Sequence, residues 1–324
     1  MSAAGPSAPG GSAGCPPPLR RGDAVAVVTP SSAVPVGRLE AGVAVLSSWG
    51  LRPREGEHAR AVHGHLAGTD AQRADDLNRA FRDPEVRAVW AARGGYGLTR
   101  LLDRLDWDAL ADDPKLLIGF SDVTALLVAA RQRSGLVGLH GQFVARLHLL
   151  DQRALCWLHD LVFAMPSEVH ATLAGTPVAG GGRVSGPLVG GNLAVLAALA
   201  GTADALRASG CIVLIEEVNE APYAVDRLLT QLLHSGSLDG ARGVVVGAPL
   251  GCEPGPNVPS ATFDEVIAER LGDLGVPVLT GLPVGHSDHQ RALVHGGRVA
   301  LDGTRGSLEL AEGLVATPPA GSSG

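Results

Sequence analysis

Four short, largely apolar runs constrain the fold most: Asp23–Thr29, Val86–Ala92, Leu116–Gly119 and Val137–His140. A strand with one face in water alternates apolar and polar residues, whereas a strand covered on both faces reads as a continuous run. Helical patterns separate these runs. Val36–Trp49 is closed by Gly50, and Thr69-Asp70 opens a helix to about Arg82 that keeps Leu77, Ala80 and Phe81 on its inner side. Leu98–Leu105 and Val123–Arg133 follow, and a further strand is expected at Leu51–Glu55. Strands alternating with helices predict an α/β fold with a parallel, doubly wound sheet, whose ligands sit at the carboxyl ends of the strands.

The pattern breaks between about Arg146 and Gly182, which hold one helix around Leu155–Phe163 and the glycine-rich Ala179-Gly180-Gly181-Gly182. A second set then begins with Val184–Leu193, turning into a helix to about Ala200, followed by a strand at Cys211–Ile215 and a helix at Val225–His234. A strand at Val244–Gly247, a helix at Phe263–Leu271, a strand at Val276–Thr280 and short strands near Ala292 and at Arg298–Leu301 complete it. At 324 residues the chain has room for two domains. The expected division is a disordered tail at 1–20, an N-terminal α/β domain at 21–145, a linker region at 146–182, a C-terminal domain at 183–312 and a flexible tail at 313–324.

Composition narrows the function. Aromatic residues are 3% of the chain and the formal net charge is −7, so the stacking platforms and basic surplus of a nucleic-acid binder are missing. No apolar stretch approaches the ~20 residues of a membrane span. Cys15, Cys156, Cys211 and Cys252 are scattered without a C-x-x-C pair, which fits a reducing cytoplasm and argues against structural zinc or a disulfide framework. Neither Ser12-Ala13-Gly14-Cys15 nor Arg20-Arg21 is flanked by the apolar segment that a lipoprotein or twin-arginine signal requires.

Three stretches place titratable or nucleophilic groups directly after apolar runs. Lys115–Leu127 passes from strand to helix through Gly119-Phe120-Ser121-Asp122. A nucleophile elbow has this form: a tight turn lifts a serine hydroxyl above the sheet, and the helix N-terminus behind it faces a developing oxyanion. A serine or aspartate that merely caps the helix looks the same. Cys211–Ile215 ends in Glu216-Glu217, for which a solvated strand end is the plainer alternative, and Gly285-His286 lies in the loop after Val276–Thr280. Serine, carboxylate and histidine are the parts of a nucleophile, an orienter and a general base. His286 with Asp288 and His289, and His63 with His65, match no usual zinc spacing, so no metal is expected. Arg93-Gly94-Gly95-Tyr96-Gly97 lacks the full dinucleotide fingerprint and reads instead as a turn offering backbone N–H groups, or as a packing turn.

Together, Arg93–Gly97, Gly119–Asp122, Glu216–Glu220 with Pro222-Tyr223 and Asp226-Arg227, and Gly285-His286 resemble the LD-carboxypeptidase family of serine peptidases, which includes the microcin C self-immunity peptidases. Supporting stretches are Gly22-Asp23, Arg73–Phe81, His140-Gly141 and Gly190–Leu193, so the likeness runs in order from about 21 to 305. It implies a flavodoxin-like parallel-sheet N-terminal domain plus a smaller mixed α/β C-terminal domain, with the active site in the cleft between them. It also implies a cytoplasmic homodimer with no cofactor or metal. Carried onto this chain, the family pattern makes Ser121 the nucleophile, His286 the general base and Glu216 its orienter. The backbone N–H groups of Asp122 and Gly95 become the oxyanion hole, with Gly94 and Tyr96 next to substrate. The implied reaction removes a C-terminal D-amino acid, D-Ala of a murein tetrapeptide in cell-wall recycling, through an acyl-enzyme. Two alternatives stand beside it: a microcin-immunity-type amidase acting on peptidyl or aminoacyl nucleotides, and a two-lobed peptide-binding protein without catalysis, against which the filled triad positions speak. Two departures from the family concern the substrate pocket: Gln142-Phe143 replace the usual Pro-Met after His140-Gly141, and Ser287–Gln290 follow His286. Tyr223, Asp226 and Arg227 are expected to be structural, and Arg93 to meet either a substrate carboxylate or an acid of the protein.

Overall fold

A computed structural model describes residues 14–163, 171–256 and 259–310. The N-terminal half runs β1 (Ala24–Val28), α1 (Val36–Ser48), β2 (Arg52–Glu55), α2 (Asp70–Arg82), β3 (Val86–Ala91), α3 (Trp107–Asp112), β4 (Leu116–Gly119), α4 (Thr124–Ser134), β5 (Gly138–His140) and α5 (Gln152–Phe163). The C-terminal half runs β6 (Ala171–Ala174), β7 (Thr176–Ala179), β8 (Arg183–Asn192), α6 (Leu193–Leu199), β9 (Ile212–Glu216), α7 (Pro222–His234), β10 (Gly243–Gly247) and α8 (Phe263–Leu271). It closes with β11 (Val278–Leu282), β12 (Leu293–His295), β13 (Arg298–Asp302) and β14 (Ser307–Leu310).

The first sheet has the order β2-β1-β3-β4-β5 with every neighbour parallel, the flavodoxin-like order, and β12 adds antiparallel beyond β5. All residues of β1 and β4 are buried, which is why their sequences do not alternate, while the edge strand β2 is polar and largely exposed. α2 begins at a capping box: the Gln72 N–H donates to Thr69 Oγ1 (3.3 Å) and the Thr69 N–H to Gln72 Oε1 (2.9 Å). The second sheet has the order β6-β14-β13-β8-β9-β10-β11-β7, parallel from β8 to β11 and antiparallel outside them. One apolar core runs through both sheets, from Val25 and Ile118 through Leu293 to Leu188 and Leu214. Among the described residues no helix is long and apolar enough to cross a membrane.

Four expectations change. Residues 14–20 do not form a tail: Leu19 is buried in the core, its N–H donates to the Val162 carbonyl (2.9 Å), and the Gly14 carbonyl accepts the Val137 N–H (2.9 Å). An isolated leucine behind three prolines carries no periodicity, so its anchoring role is invisible locally. The stretch read as a linker holds β6 and β7, which extend opposite edges of the second sheet and bring it to eight strands against six in the first. The strand near Ala292 belongs to the first sheet, because β12 pairs with β5 with Leu293 opposite His140. Leu98–Leu105 forms two 3-10 turns, Leu98–Arg100 and Leu102–Arg104, in place of one helix, and its first N–H donates to the Asp122 side chain. The rest of the expected tails, 1–13 and 313–324, lies outside the described residues.

Candidate active site

Ser121 occupies the first residue after the β4 exit that turns left-handed, with φ 55°, and among the described residues only Asn219 shares this among non-glycines. Such a backbone costs about 1–3 kcal/mol and persists where its surroundings hold it. It begins a 3-10 turn, Ser121–Val123, that runs into α4, so its leading N–H groups have no intrahelical acceptor. What holds the turn is the Asp122 side chain. Asp122 Oδ2 accepts the Ser31 hydroxyl (2.6 Å) from the loop after β1 and the Leu98 N–H (2.9 Å) from the loop after β3. Burial pushes the Asp122 carboxyl up, and these donors oppose the shift. Arg73, fully buried on α2, donates to the Pro30 carbonyl and to the Gly97 carbonyl (3.0 Å), pinning the same two loops. Gly95 has φ 110°, and a Cβ there would stand 2.3 Å from Ser32 Oγ. Ser32 itself donates its N–H to the Gly94 carbonyl (3.3 Å) and accepts the Tyr96 N–H (3.3 Å).

The second sheet supplies the carboxylate and the imidazole. Glu216 is the last residue of β9 and fully buried; its Oε2 lies 2.9 Å from His286 Nδ1. His140 Nε2 stands 3.9 Å from Glu216 Oε1, too long for a hydrogen bond, and neither ring nitrogen of His140 has a partner among the described residues. Burial pushes the Glu216 carboxyl up, yet the two imidazoles, the bonded His286 and the nearby His140, outweigh it and hold the group down at about 2. Behind them His295 on β12 is pulled down to about 3 by burial, and its Nε2 accepts the Gly190 N–H (3.2 Å) as a neutral ring does. Gly285 has φ 122°, and a Cβ on it would be 3.2 Å from Glu216 Oε2, so glycine is what lets loop and carboxylate approach. Glu217 points elsewhere: it accepts the Asn192 side-chain amide (2.9 Å), the Val218 N–H (2.8 Å) and the Ala194 N–H (2.8 Å) at the start of α6.

Two cavities meet at Ser121 and Gly95. The larger, about 790 Å³, is also lined by Gly94, Phe143 and His286. The smaller, about 270 Å³, is lined by Tyr96, Asp122, Asn192 and Glu217. Ser121, Gly94, Gly95, Tyr96, Asp122 and His286 thus line one or both, while Glu216 lies behind His286. The Phe120 ring, one residue before Ser121, stands between the two imidazoles, 4.7 Å from His286 and 5.6 Å from His140, and stacks on Phe143 at 4.4 Å. Of the residues that depart from the family, Phe143 lines the large cavity; Gln142 is buried, with its carbonyl accepting Trp90 Nε1–H (2.8 Å). His289 is exposed against Asp151 (2.6 Å). Tyr223 does not pack inside: it is 70% exposed, with the Arg227 guanidinium 5.8 Å from its ring, because it points outward from the first turn of α7. Asp226 pairs with Arg270 of α8 (3.0 Å). Among the described residues one group of metal-ligating side chains converges, His58, Asp75 and Asp76, and none of it lines either cavity.

The side-chain roles of Ser31, Arg73, Asp122 and His140 carry no local signal, since their partners lie up to 91 residues away. A buried charge on an otherwise polar helix face, such as Arg73, would have been the one hint.

With this geometry in place, known proteins give a consistent match. The LD-carboxypeptidase N-terminal domain matches residues 25–141 and the LD-carboxypeptidase C-terminal domain residues 185–301. The murein tetrapeptide carboxypeptidase of Pseudomonas aeruginosa is 38% identical over 87% of this chain and 94% of its own. This chain belongs to the LD-carboxypeptidase family. The family is one of serine peptidases, and the protein is a carboxypeptidase-type hydrolase. The crystal structure of muramoyltetrapeptide carboxypeptidase from Oxalobacter formigenes superposes with a TM-score of 0.80 at 32% identity, covering 90% of this chain and 98% of that one. The microcin C7 self-immunity protein MccF of Escherichia coli is more distant, 24% identical over 93% of this chain and 96% of its own.

Proposed function

We propose that the protein is a serine LD-carboxypeptidase that removes the C-terminal D-amino acid, D-Ala, from murein tetrapeptide. The observation that carries this reading is the convergence on one cavity of a serine held at φ 55° and a histidine bonded at 2.9 Å to a buried carboxylate. Ser121 Oγ attacks the scissile carbonyl carbon while His286 Nε2 takes its proton. Glu216 Oε2 accepts from Nδ1–H, which fixes the tautomer and steadies the imidazolium. The oxyanion lies against the N–H groups of Asp122 and Gly95. The C–N bond breaks, His286 returns the proton to the leaving amine, and water then hydrolyses the Ser121 ester with His286 again as base. The family's cytoplasmic setting and homodimeric state are part of the same reading.

The test is incubation of wild type and Ser121→Ala with L-Ala-γ-D-Glu-meso-diaminopimelate-D-Ala, read by mass spectrometry. Loss of one alanine by the wild type alone supports the reading. The likeness to MccF favours a second reading, an amidase acting on aminoacyl nucleotides. An aminoacyl sulfamoyl adenosine cleaved in place of the tetrapeptide would select it.

A further inference from the structure

The large cavity beside Ser121 is lined by Arg38, Arg93 and Arg146 and by no aspartate or glutamate, in a chain whose carboxylates outnumber its cations 33 to 26. Arg146 is committed to Asp288 (2.5 Å). Arg38 is exposed in the first turn of α1. Arg93 differs from both: it donates from Nη1 to the Ala33 carbonyl and, among the described residues, to no carboxylate. That tether orders the guanidinium while leaving its other N–H donors for a ligand, and a planar fork meets a carboxylate through two parallel bonds. The side chain also starts close to the chemistry. A Cβ on Gly94 would stand 3.2 Å from Ser121 Cβ, and Arg93 is the residue before it, with Cα atoms ~3.8 Å apart.

A carboxypeptidase has to recognise the free carboxylate of the residue it releases. That residue's nitrogen is also the atom to which His286 returns the proton, so it lies on the His286 side of Ser121. His286 lines the arginine-bearing cavity, whereas the smaller one is lined by Asp122 and Glu217 and by no arginine or lysine. We propose that Arg93 binds the terminal carboxylate of the leaving residue and so confines cleavage to the chain end. The proposal rests on the reading of Ser121 and His286 given above, and makes Arg93 a specificity-determining residue.

The test separates binding from turnover. In a Ser121→Ala background, the tetrapeptide and its C-terminal amide are titrated calorimetrically. The free acid is expected to bind 10- to 100-fold more tightly, on the order of one charged hydrogen-bonded pair. Arg93→Gln is expected to erase that ratio while leaving the amide's Kd unchanged, which also reports an intact fold, and Arg93→Lys to restore part of it. Arg38→Gln is expected to leave the ratio standing. Equal affinity for acid and amide, a ratio that survives Arg93→Gln, or no binding of either peptide overturns the proposal. Failure of the catalytic reading looks different: a wild-type enzyme that discriminates acid from amide but releases no D-Ala.

Discussion

The Asp122 carboxylate offers the sharpest test of how the site is held. Asp122→Ala leaves the Ser31 hydroxyl and the Leu98 N–H without their acceptor, and Ser31, Leu98 and Asp122 are all buried. An orphaned buried donor costs about 1–3 kcal/mol, so two cost about 2–6 kcal/mol. From this must be taken the relief of removing a carboxyl that burial already pushes up, which brings the expected loss to about 2–4 kcal/mol. Urea denaturation followed by tryptophan fluorescence measures it, since Trp90 on β3 is fully buried beneath the site. The midpoint should fall with the m-value unchanged. Asp122→Asn keeps the shape and one acceptor oxygen and should lose about half as much. Hydrolysis should fall in both variants, because Ser121 at φ 55° loses the bonds that hold its turn. A loss below about 1 kcal/mol for Asp122→Ala would refute the claim that this side chain braces the elbow.

Three other perturbations probe the second half of the site. Glu216→Gln should lower kcat about 10³-fold or more with little change in KM, as loss of an orienting carboxylate does. Glu216 also sets an acid limb of stability: its carboxyl is at about 2 in the fold against an ordinary 4.5, so the unfolded chain binds the proton first. Stability supplied by Glu216 is therefore full above 4.5 and lost as pH falls toward about 2, and acid denaturation of Glu216→Gln should lack that slope. Gly285→Ala forces an L-residue to φ 122° with its Cβ 3.2 Å from Glu216 Oε2 and should cost about 1–3 kcal/mol, together with turnover, while circular dichroism stays unchanged. Arg133→Ala breaks a two-pronged pair between α4 and Asp204 of the other half (both bonds 2.7 Å) and should cost about 1–3 kcal/mol in thermal or urea unfolding.

Much of this was legible because buried parallel strands write themselves as apolar runs. β1, β3 and β4 follow from their apolar runs alone, and with them the positions of Gly94, Gly95 and Ser121 at strand ends. The choice of Glu216 over Glu217 came from the family pattern rather than from any local property, since both follow the same run. The structure supplies the physical difference: one faces His286, while the other caps α6. Illegible were the pieces whose stabilising partners are distant. β6 and β7 are edge strands of four residues with exposed positions, too short and mixed to stand out from a glycine-rich stretch. Asp122 looked like a backbone donor at a helix start, and nothing within ten residues announced that its side chain gathers two other loops.

The exchange of β12 between halves bears on how the proposed triad keeps its geometry. The chain leaves β11 in the second sheet, passes through Gly285-His286, and enters β12 in the first. His286 thus lies on a span fixed at both ends, by β11 against β10 and by Leu293 opposite His140. Ser121 belongs to the first sheet and Glu216 to the second, so a free hinge between the sheets would pull the proposed nucleophile and orienter apart. The span removes that freedom for the imidazole, and two further ties act beside it. Thr124 Oγ1 accepts the Asn192 N–H (3.0 Å) three residues after Ser121, and Arg133 grips Asp204 at the far end of the same helix. α4, which starts behind Ser121, is therefore fastened to the second half at both ends. The cleft owes its alignment to cross-sheet bonds as much as to the residues that line it, and substitutions at Thr124 or Arg133 should lower turnover through position, without touching a residue of the proposed triad.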